Sequence, residues 1–459
     1  MTPMTAQPRM VSARWRWINP EQVLTFLLDD AKVNWPGGEG PGDVRIERVW
    51  PVVDDALAVE WSFQLGDQGR YSLYVTPIRP QDASVADIRE PVVGCGVLQG
   101  LRLALPEAGL VIHSPDFDPG LPHLRACLNP AVMTDRLAGF CTNRGTVEAD
   151  PSRREVELLS YRARRRAALK YRMNGVSVFG KTFRDGRGER AIRWHYDLKD
   201  RLFRASAGRV TVADPIGYLP DLRLALFSWC ESDRALSRAH ATPSDLRLAM
   251  NALGSLHRTP IDDAPAFSVN DEIGILERWQ SALAKADPET ADLLDRLVPV
   301  WRNQATPVDG CATIHRDFYD RQVLLGKNQT ILVDIDTLSR GDPAVDVGTF
   351  LAHLWLDVLA QSGDSSGPAF ESHARHVLIF YQESGGRLCR RSLRWSWASA
   401  LLRLGAVHAL RTTTGPFAVG LWRLAADVLD LSVSEHRLLP NAHLDFVPDV
   451  TSVLAEVEE

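Results

Sequence analysis

Lysine is scarce in this chain of 459 residues. It occurs only as Lys32, Lys170, Lys181, Lys199, Lys285 and Lys327, so 46 of the 52 basic residues are arginine. Acidic residues outnumber the basic ones, 58 to 52, for a net charge of −6, and that balance implies no polyanionic partner. The six cysteines (95, 127, 141, 230, 311 and 389) form no Cys-x-x-Cys pair and have no histidine-rich spacing beside them. Neither a zinc site nor a disulfide framework is suggested, and reduced thiols are expected. No uncharged apolar run reaches the length of a bilayer span, and the opening MTPMTAQPRMVSARWRW lacks the apolar stretch of a signal peptide. A cytoplasmic protein with no membrane partner is expected.

What is present reads as an ordinary globular chain, 45% apolar and 24% charged, long enough for two or three domains. Residues 1–20 read as a loosely packed start and EQVLTFLLDDA as a short helix. RIERVWPVV, ALAVEWSFQL, RYSLYVTPI, GVLQGLRLAL and GLVIHSP alternate as strands, with GDQG as a hairpin turn. Residues 1–148 are expected to form a small α+β module without evident chemistry. Three further strands follow in EVELLSYRARRRAALKYRM and NGVSVFGKTF, then strand, turn and strand over 210–230. From 231 onward the pattern is helical (231–261, 270–305 and three segments beyond 348), interrupted only by the short strands around 312–333.

The chemistry concentrates in ATIHRDFYDRQVLLGKNQTILVDIDTLSRGDPAVDVGTFLAHL, residues 312–354. Val323–Leu325 and Ile331–Val333 read as two short strands joined by the polar turn Lys327–Gln329. Asp317 and Gln322 precede the pair and Asp334 leaves it, so the three groups are expected at neighbouring ends. Mg²⁺ takes hard oxygen donors, one or two from the protein and the rest from phosphates and water. Asp334 and the amide oxygen of Gln322 fit that demand. Asp317 would orient an attacking hydroxyl and accept its proton in phosphoryl transfer. Asp336 and Asp342 remain ambiguous, and His315 reads as a buried scaffold histidine.

HRDFYDRQ followed by LVDIDTLSRGDPAVDVG resembles the catalytic and metal-binding segments of the aminoglycoside phosphotransferase and choline kinase superfamily. The resemblance implies an α+β, bilobal protein-kinase-like fold: a small β-rich lobe over 149–230 and a large helical lobe over 231–459, behind the module of 1–148. It implies Asp317 as base, Asp334 as Mg²⁺ ligand and Asp346 as a structural brace of the catalytic loop. Gln322 stands where most members have Asn, and maltokinases look similar in this. Lys181 falls where the third strand of such a lobe carries its ATP-binding lysine, with Lys170 as the second candidate and Glu189 as the nearest acid to hold it. No Gly-rich loop precedes Lys181, which the superfamily also tolerates. By order alone, Ser228, Trp229 and Cys230 occupy the linker between lobes, where adenine would stack and meet backbone groups. The Leu256-His257 pair looks like a structural element of the family.

The implied activity is an ATP- and Mg²⁺-dependent phosphotransferase acting on a small-molecule hydroxyl, a sugar or amino-sugar. The alternative is a catalytically inactive kinase-like protein that senses nucleotide or serves as an interaction module. The run RARRRAALKYR (162–172) invites a nucleic-acid reading, but it reads better as a solvated turn or one that touches the triphosphate.

Overall fold

The computed structural model describes residues 20–141, 155–431 and 448–457, apart from 31, 39, 53–55, 79–84, 174, 232–233, 237–240, 306–311, 362–365 and 412–414. The expected loose start over 1–19 and the boundary at 148/149 lie outside the described residues.

Helix α1 (Pro20–Thr25) runs into a wider turn over Phe26–Asp30. Six antiparallel strands follow: β1 (Pro41–Pro51), β2 (Leu57–Leu65), β3 (Arg70–Pro77), β4 (Ile88–Gly94), β5 (Val97–Leu105) and β6 (Leu110–His113), in the spatial order β1-β2-β3-β6-β5-β4. The GDQG turn joins β2 to β3 as a single 3-10 turn, Gly66–Gln68. Helices α2 (Leu124–Cys127) and α3 (Pro130–Cys141) close the module.

The second sheet holds β7 (Glu155–Arg162), β8 (Arg166–Met173), β9 (Val176–Phe183), β11 (Pro215–Leu219) and β12 (Leu224–Ser228), ordered β11-β12-β9-β8-β7. Helix α4 (Arg187–Ala205) leaves β9, and the short β10 (Val210–Val212) joins a different sheet. Module and small lobe are not separate bodies. Trp50, Tyr74, Leu121, Leu124 and Leu137 share one buried cluster with Val156, Leu169, Tyr171 and Leu226. Asp118, buried, fastens the turn between β7 and β8. It accepts hydrogen bonds from Tyr161 Oη (2.8 Å), the Arg164 amide (2.6 Å) and the Gly120 amide (2.7 Å). Those bonds hold Arg164 at φ 61°, a left-handed conformation rarely taken by a side-chain-bearing residue.

Gly120 lies so close beneath this turn that an added Cβ would stand 2.5 Å from Arg164 Cα. Backbone cannot give way as a side chain can, so Gly120→Ala is expected to cost about 1–3 kcal/mol. The loss would appear in a denaturant midpoint, together with weaker nucleotide binding; an unchanged midpoint would place the turn elsewhere.

The large lobe opens with β13 (Arg234–Ala235), so the helix expected across 231–261 starts only at α5 (Pro243–His257). Thr242 caps α5 reciprocally: its hydroxyl accepts from Asp245 N (3.2 Å) and Asp245 accepts from Thr242 N (3.0 Å). Two helices fill 270–305, namely α6 (Val269–Ala286) and α7 (Pro288–Asn303). After β14 (Ala312–Ile314), β15 (Val323–Leu325), β16 (Thr330–Leu332) and β17 (Ser339–Gly341) come α8 (Ala344–Ala360), α9 (Ser366–Glu383), α10 (Arg390–Ala409), α11 (Phe417–Val428) and α12 (Val450–Leu454). Trp301 and Trp395 stack at 5.0 Å in the core of this lobe. Among the described residues no helix is long and apolar enough to cross a membrane. The architecture is α+β, with a β-rich small lobe and a helical large lobe meeting where β10 pairs in parallel with β16 and Lys181 meets Asp334 and Asp336.

Candidate active site

Strands β15 and β16 pair antiparallel with Val323 opposite Leu332, and the amide of Val333 donates to the carbonyl of Gln322 at 3.0 Å. That register brings the buried Gln322, last residue of the 3-10 turn Asp320–Gln322, beside the exit to Asp334. Asp334 takes a left-handed backbone (φ 59°), and the tight turn Ile335–Thr337 follows at once. The backbone therefore reverses there, and the Asp334 and Asp336 carboxylates converge on one ammonium. Lys181 Nζ contacts Asp334 and lies 2.7 Å from Asp336. Arg166 Nη1 approaches the same pair, at 3.1 Å from Asp336 and 3.6 Å from Asp334.

Burial alone would raise the pKa of Asp334, but Lys181, a hydrogen bond from Asp336 and Arg166 together hold it well below the usual carboxylate range. Asp336 goes the other way, raised by burial and by the neighbouring Asp334 charge against the pull of Lys181 and Arg166. A carboxylate pair neutralised by an ammonium and a guanidinium is a hard-oxygen donor set able to take a divalent cation instead. Asp334 and Asp336 are thus the pair that could hold a divalent cation, with Gln322 at the neighbouring end of the β15–β16 pair.

Asp317 sits half-buried in the loop after β14. Its charge is felt by Arg162, by the phenol of Tyr319 and by Arg166, the arginine that contacts Asp336. The loop is anchored from below by Asp346 in the first turn of α8, a fully buried side chain. Asp346 accepts from the amides of His315 (2.6 Å) and Arg316 (2.6 Å) and meets His257 Nε2 at 2.9 Å. His257 in turn meets Tyr381 Oη at 2.7 Å through Nδ1. His315 is buried, with Nε2 2.9 Å from the Val333 carbonyl, and so ties the loop to the end of β16.

Several expected placements differ. Glu189 does not hold Lys181: α4 begins at Arg187, so Glu189 falls in its exposed first turn while Trp194, His195 and Leu198 face inward. The aspartates after β16 take its place. At the linker, two of the three backbone amides are already committed. Ser228 N donates to Asp214 O at 2.8 Å and Trp229 N to Ser177 O at 3.3 Å, leaving Cys230 N without a backbone bond among the described residues. Lys170, the second candidate for the phosphate lysine, lies instead over the Trp229 ring, 3.6 Å from its centroid, as a cation–π contact. The 162–172 run is only partly a solvated turn: Arg162 and Arg165 are exposed, but Arg164 is buried against the module and Arg166 reaches the aspartates. Asp336, ambiguous in the sequence, and Arg166, part of the arginine run there, are the residues the structure adds to the site. The Asp-x-Asp spacing was the available signal for the first.

His195 of α4 packs against Phe227 with ring centroids 4.3 Å apart, and its Nδ1 donates to Ala191 O at 2.7 Å. Burial pushes its pKa down to about 4, with the Ala191 carbonyl only partly opposing. The folded state keeps it neutral, whereas the unfolded chain protonates it near the ordinary histidine value of about 6.5. Native stability is therefore complete above about pH 6.5, falls as pH drops toward about 4, and loses nothing further from this group below that. His123, also pushed to about 4 by burial and then by Arg223, adds to the same limb. A melting-temperature series from pH 8 to pH 4 is expected to fall across this window and to fall less steeply in His195→Phe; parallel curves would show that His195 does not contribute.

Residues 177–374 match the model of the phosphotransferase enzyme family. The matched phosphotransferase segment opens within β9 just before Lys181, closes within α9, and contains Asp317, Gln322, Asp334, Asp336 and Asp346. Among solved structures the chain is similar to a choline/ethanolamine kinase family protein from Mesorhizobium loti (12% identity, TM-score 0.44, 73% of this chain and 97% of that one). It is also similar to the choline kinase LicA from Streptococcus pneumoniae (14% identity, TM-score 0.42, 65% and 98%). A third likeness is the amicoumacin kinase hAmiN in complex with AMP-PNP, Ca²⁺ and Ami (13% identity, TM-score 0.47, 69% and 99%). No curated protein matches the chain.

Proposed function

We propose that this protein is an ATP- and Mg²⁺-dependent phosphotransferase that phosphorylates a hydroxyl of a small molecule, a sugar or sugar derivative. The observation that carries the reading is the meeting of Lys181 with Asp334 and Asp336, within the segment that matches the phosphotransferase family and also holds Asp317. Lys181 and Arg166 are the cations that receive nucleotide phosphates. Asp334 and Gln322, with Asp336, would hold the metal, which when bound supplies charge neutralisation to the phosphate oxygens. Asp317 orients the acceptor hydroxyl and takes its proton as the new O–Pγ bond forms and the bond from Pγ to the β,γ-bridging oxygen breaks, releasing ADP. Asp346 keeps that loop in place through two amides. Adenine is assigned to the linker of Ser228, Trp229 and Cys230, where Cys230 N is the available donor.

The test is calorimetric titration of AMP-PNP with Mg²⁺ into wild type and Lys181→Met. Binding that weakens by about tenfold or more in the variant supports the reading, since loss of one charge-assisted bond to phosphate is worth at least 1.4 kcal/mol. Equal binding would remove Lys181 from the nucleotide site. Nucleotide binding without turnover against any acceptor would favour a catalytically inactive kinase-like protein.

A further inference from the structure

The surroundings of Asp317 hold more arginine than the site's own carboxylates require. Arg166 is matched by Asp334 and Asp336. Beyond it stand Arg48, Arg162, Arg321 and Arg411, brought together from four separate parts of the chain. Arg48 lies on β1 of the N-terminal module and forms an antiparallel bridge with Arg411, beside the bond from Val49 N to Leu410 O at 2.9 Å. Its Nη2 donates to the Tyr161 carbonyl at 2.9 Å, one residue before Arg162. Arg48 is itself balanced by Glu60.

The other three lack a direct partner. Among the described residues the guanidinium groups of Arg162, Arg321 and Arg411 make no hydrogen bond and no ion pair. By residue surface Arg162 and Arg321 keep exposed area and Arg411 is half-buried. They nevertheless sit close enough to repel one another. Burial lowers the pKa of Arg411, and Arg48, Arg162 and Arg321 lower it further; at Arg162 burial of the guanidinium and then Arg166 outweigh the pull of Asp317 and Asp334. Tyr319, its ring stacked on His353 at 4.4 Å, feels both Asp317 and Arg321 and so joins the base to this cluster. A cleft walled by like charges raises the local concentration of the opposite charge and excludes its own sign.

We infer that the acceptor bound beside Asp317 is itself an anion, a sugar carrying a phosphate or carboxylate group that Arg162, Arg321 and Arg411 receive, and that the N-terminal module completes this acceptor site through Arg48. The inference rests on the phosphotransferase reading and narrows it: an ammonium-bearing amino-sugar meets repulsion where an acidic sugar meets planar, multidentate donors. It also gives the module a task in the reaction, because β1 fixes the positions of Arg162 and Arg411 together.

The test uses the full chain saturated with AMP-PNP and Mg²⁺, so that the nucleotide site is filled, and titrates in glucose, glucose 6-phosphate, glucuronate and glucosamine by calorimetry. At least one of the two anions is expected to bind about tenfold or more tightly than glucose, glucosamine least of all, and anion affinity is expected to fall with added salt. Preference for glucose 6-phosphate over glucuronate, or the reverse, identifies which anionic group is received. The double variant Arg321→Gln/Arg411→Gln is expected to weaken anion binding about tenfold or more while the AMP-PNP affinity stays within about twofold. Arg321→Gln alone, at an exposed position, guards against a fold defect. Glucose binding as tightly as both anions, or neither anion binding, overturns the inference. So does a double variant that weakens AMP-PNP instead of the anion, which would assign the cluster to the nucleotide. If AMP-PNP fails to bind wild type, the phosphotransferase reading fails by itself, and arginine-dependent anion binding without nucleotide judges the acceptor site separately.

Discussion

Asp317→Asn is expected to lower turnover by about 10²- to 10⁴-fold, the usual contribution of a positioned general base. The substitution keeps the size and one acceptor oxygen of the side chain, so the loop anchored by Asp346 has no reason to move. What disappears is the negative charge that draws the acceptor proton and faces Arg162 and Arg166. Nucleotide binding depends on Lys181, Arg166 and the aspartates after β16, and is expected to survive. Steady-state ADP release read beside AMP-PNP titration separates the two effects. Turnover within a few-fold of wild type would remove Asp317 from the reaction.

Asp346→Ala is expected to be the most destabilising single change in the large lobe, about 3–5 kcal/mol, because it strips partners from buried groups on every side. The amides of His315 and Arg316 would lose their acceptors, and His257 would keep only Tyr381. Asn at the same position keeps one carbonyl oxygen but turns an NH₂ toward a donor, so Asp346→Asn should fall between the two. A urea unfolding series measures the order directly. A loss below about 1 kcal/mol for Asp346→Ala would mean that water replaces the carboxylate and that the brace is weak. Because His315 and Arg316 immediately precede Asp317, activity is expected to fall with stability in both variants.

Much of the site could be read in the chain because its parts are local. Val323–Leu325 and Thr330–Leu332 are short apolar strands around a polar turn, and their pairing carries Gln322 and Asp334 to one end without help from elsewhere. The span from His315 to Asp346 is likewise short enough for its two acids to be matched to a loop and to the helix that supports it. The parts that could not be read depend on distant elements. Asp336 joins Asp334 only because residue 334 adopts a left-handed backbone and a 3-10 turn follows, so a plain strand-end reading left it ambiguous. Glu189 was expected as the partner of Lys181 because the resemblance puts that acid on the helix after β9, whereas the partners came from more than 150 residues away. The arginine run looked solvated because nothing in it reveals that Asp118 and Pro77 of the module receive Arg164. The charged surroundings of Asp317 are of the same kind, assembled from β1, the β7–β8 turn, the 320–322 turn and the end of α10.

The most direct test of the central claim is a coupled ADP-release assay with ATP and Mg²⁺ against a panel of neutral, acidic and amino-sugars, run in parallel on wild type and Asp317→Asn. ADP release that requires a particular acceptor and disappears in Asp317→Asn is the predicted result. Acceptor-dependent release that persists undiminished in Asp317→Asn would contradict the assignment of the site.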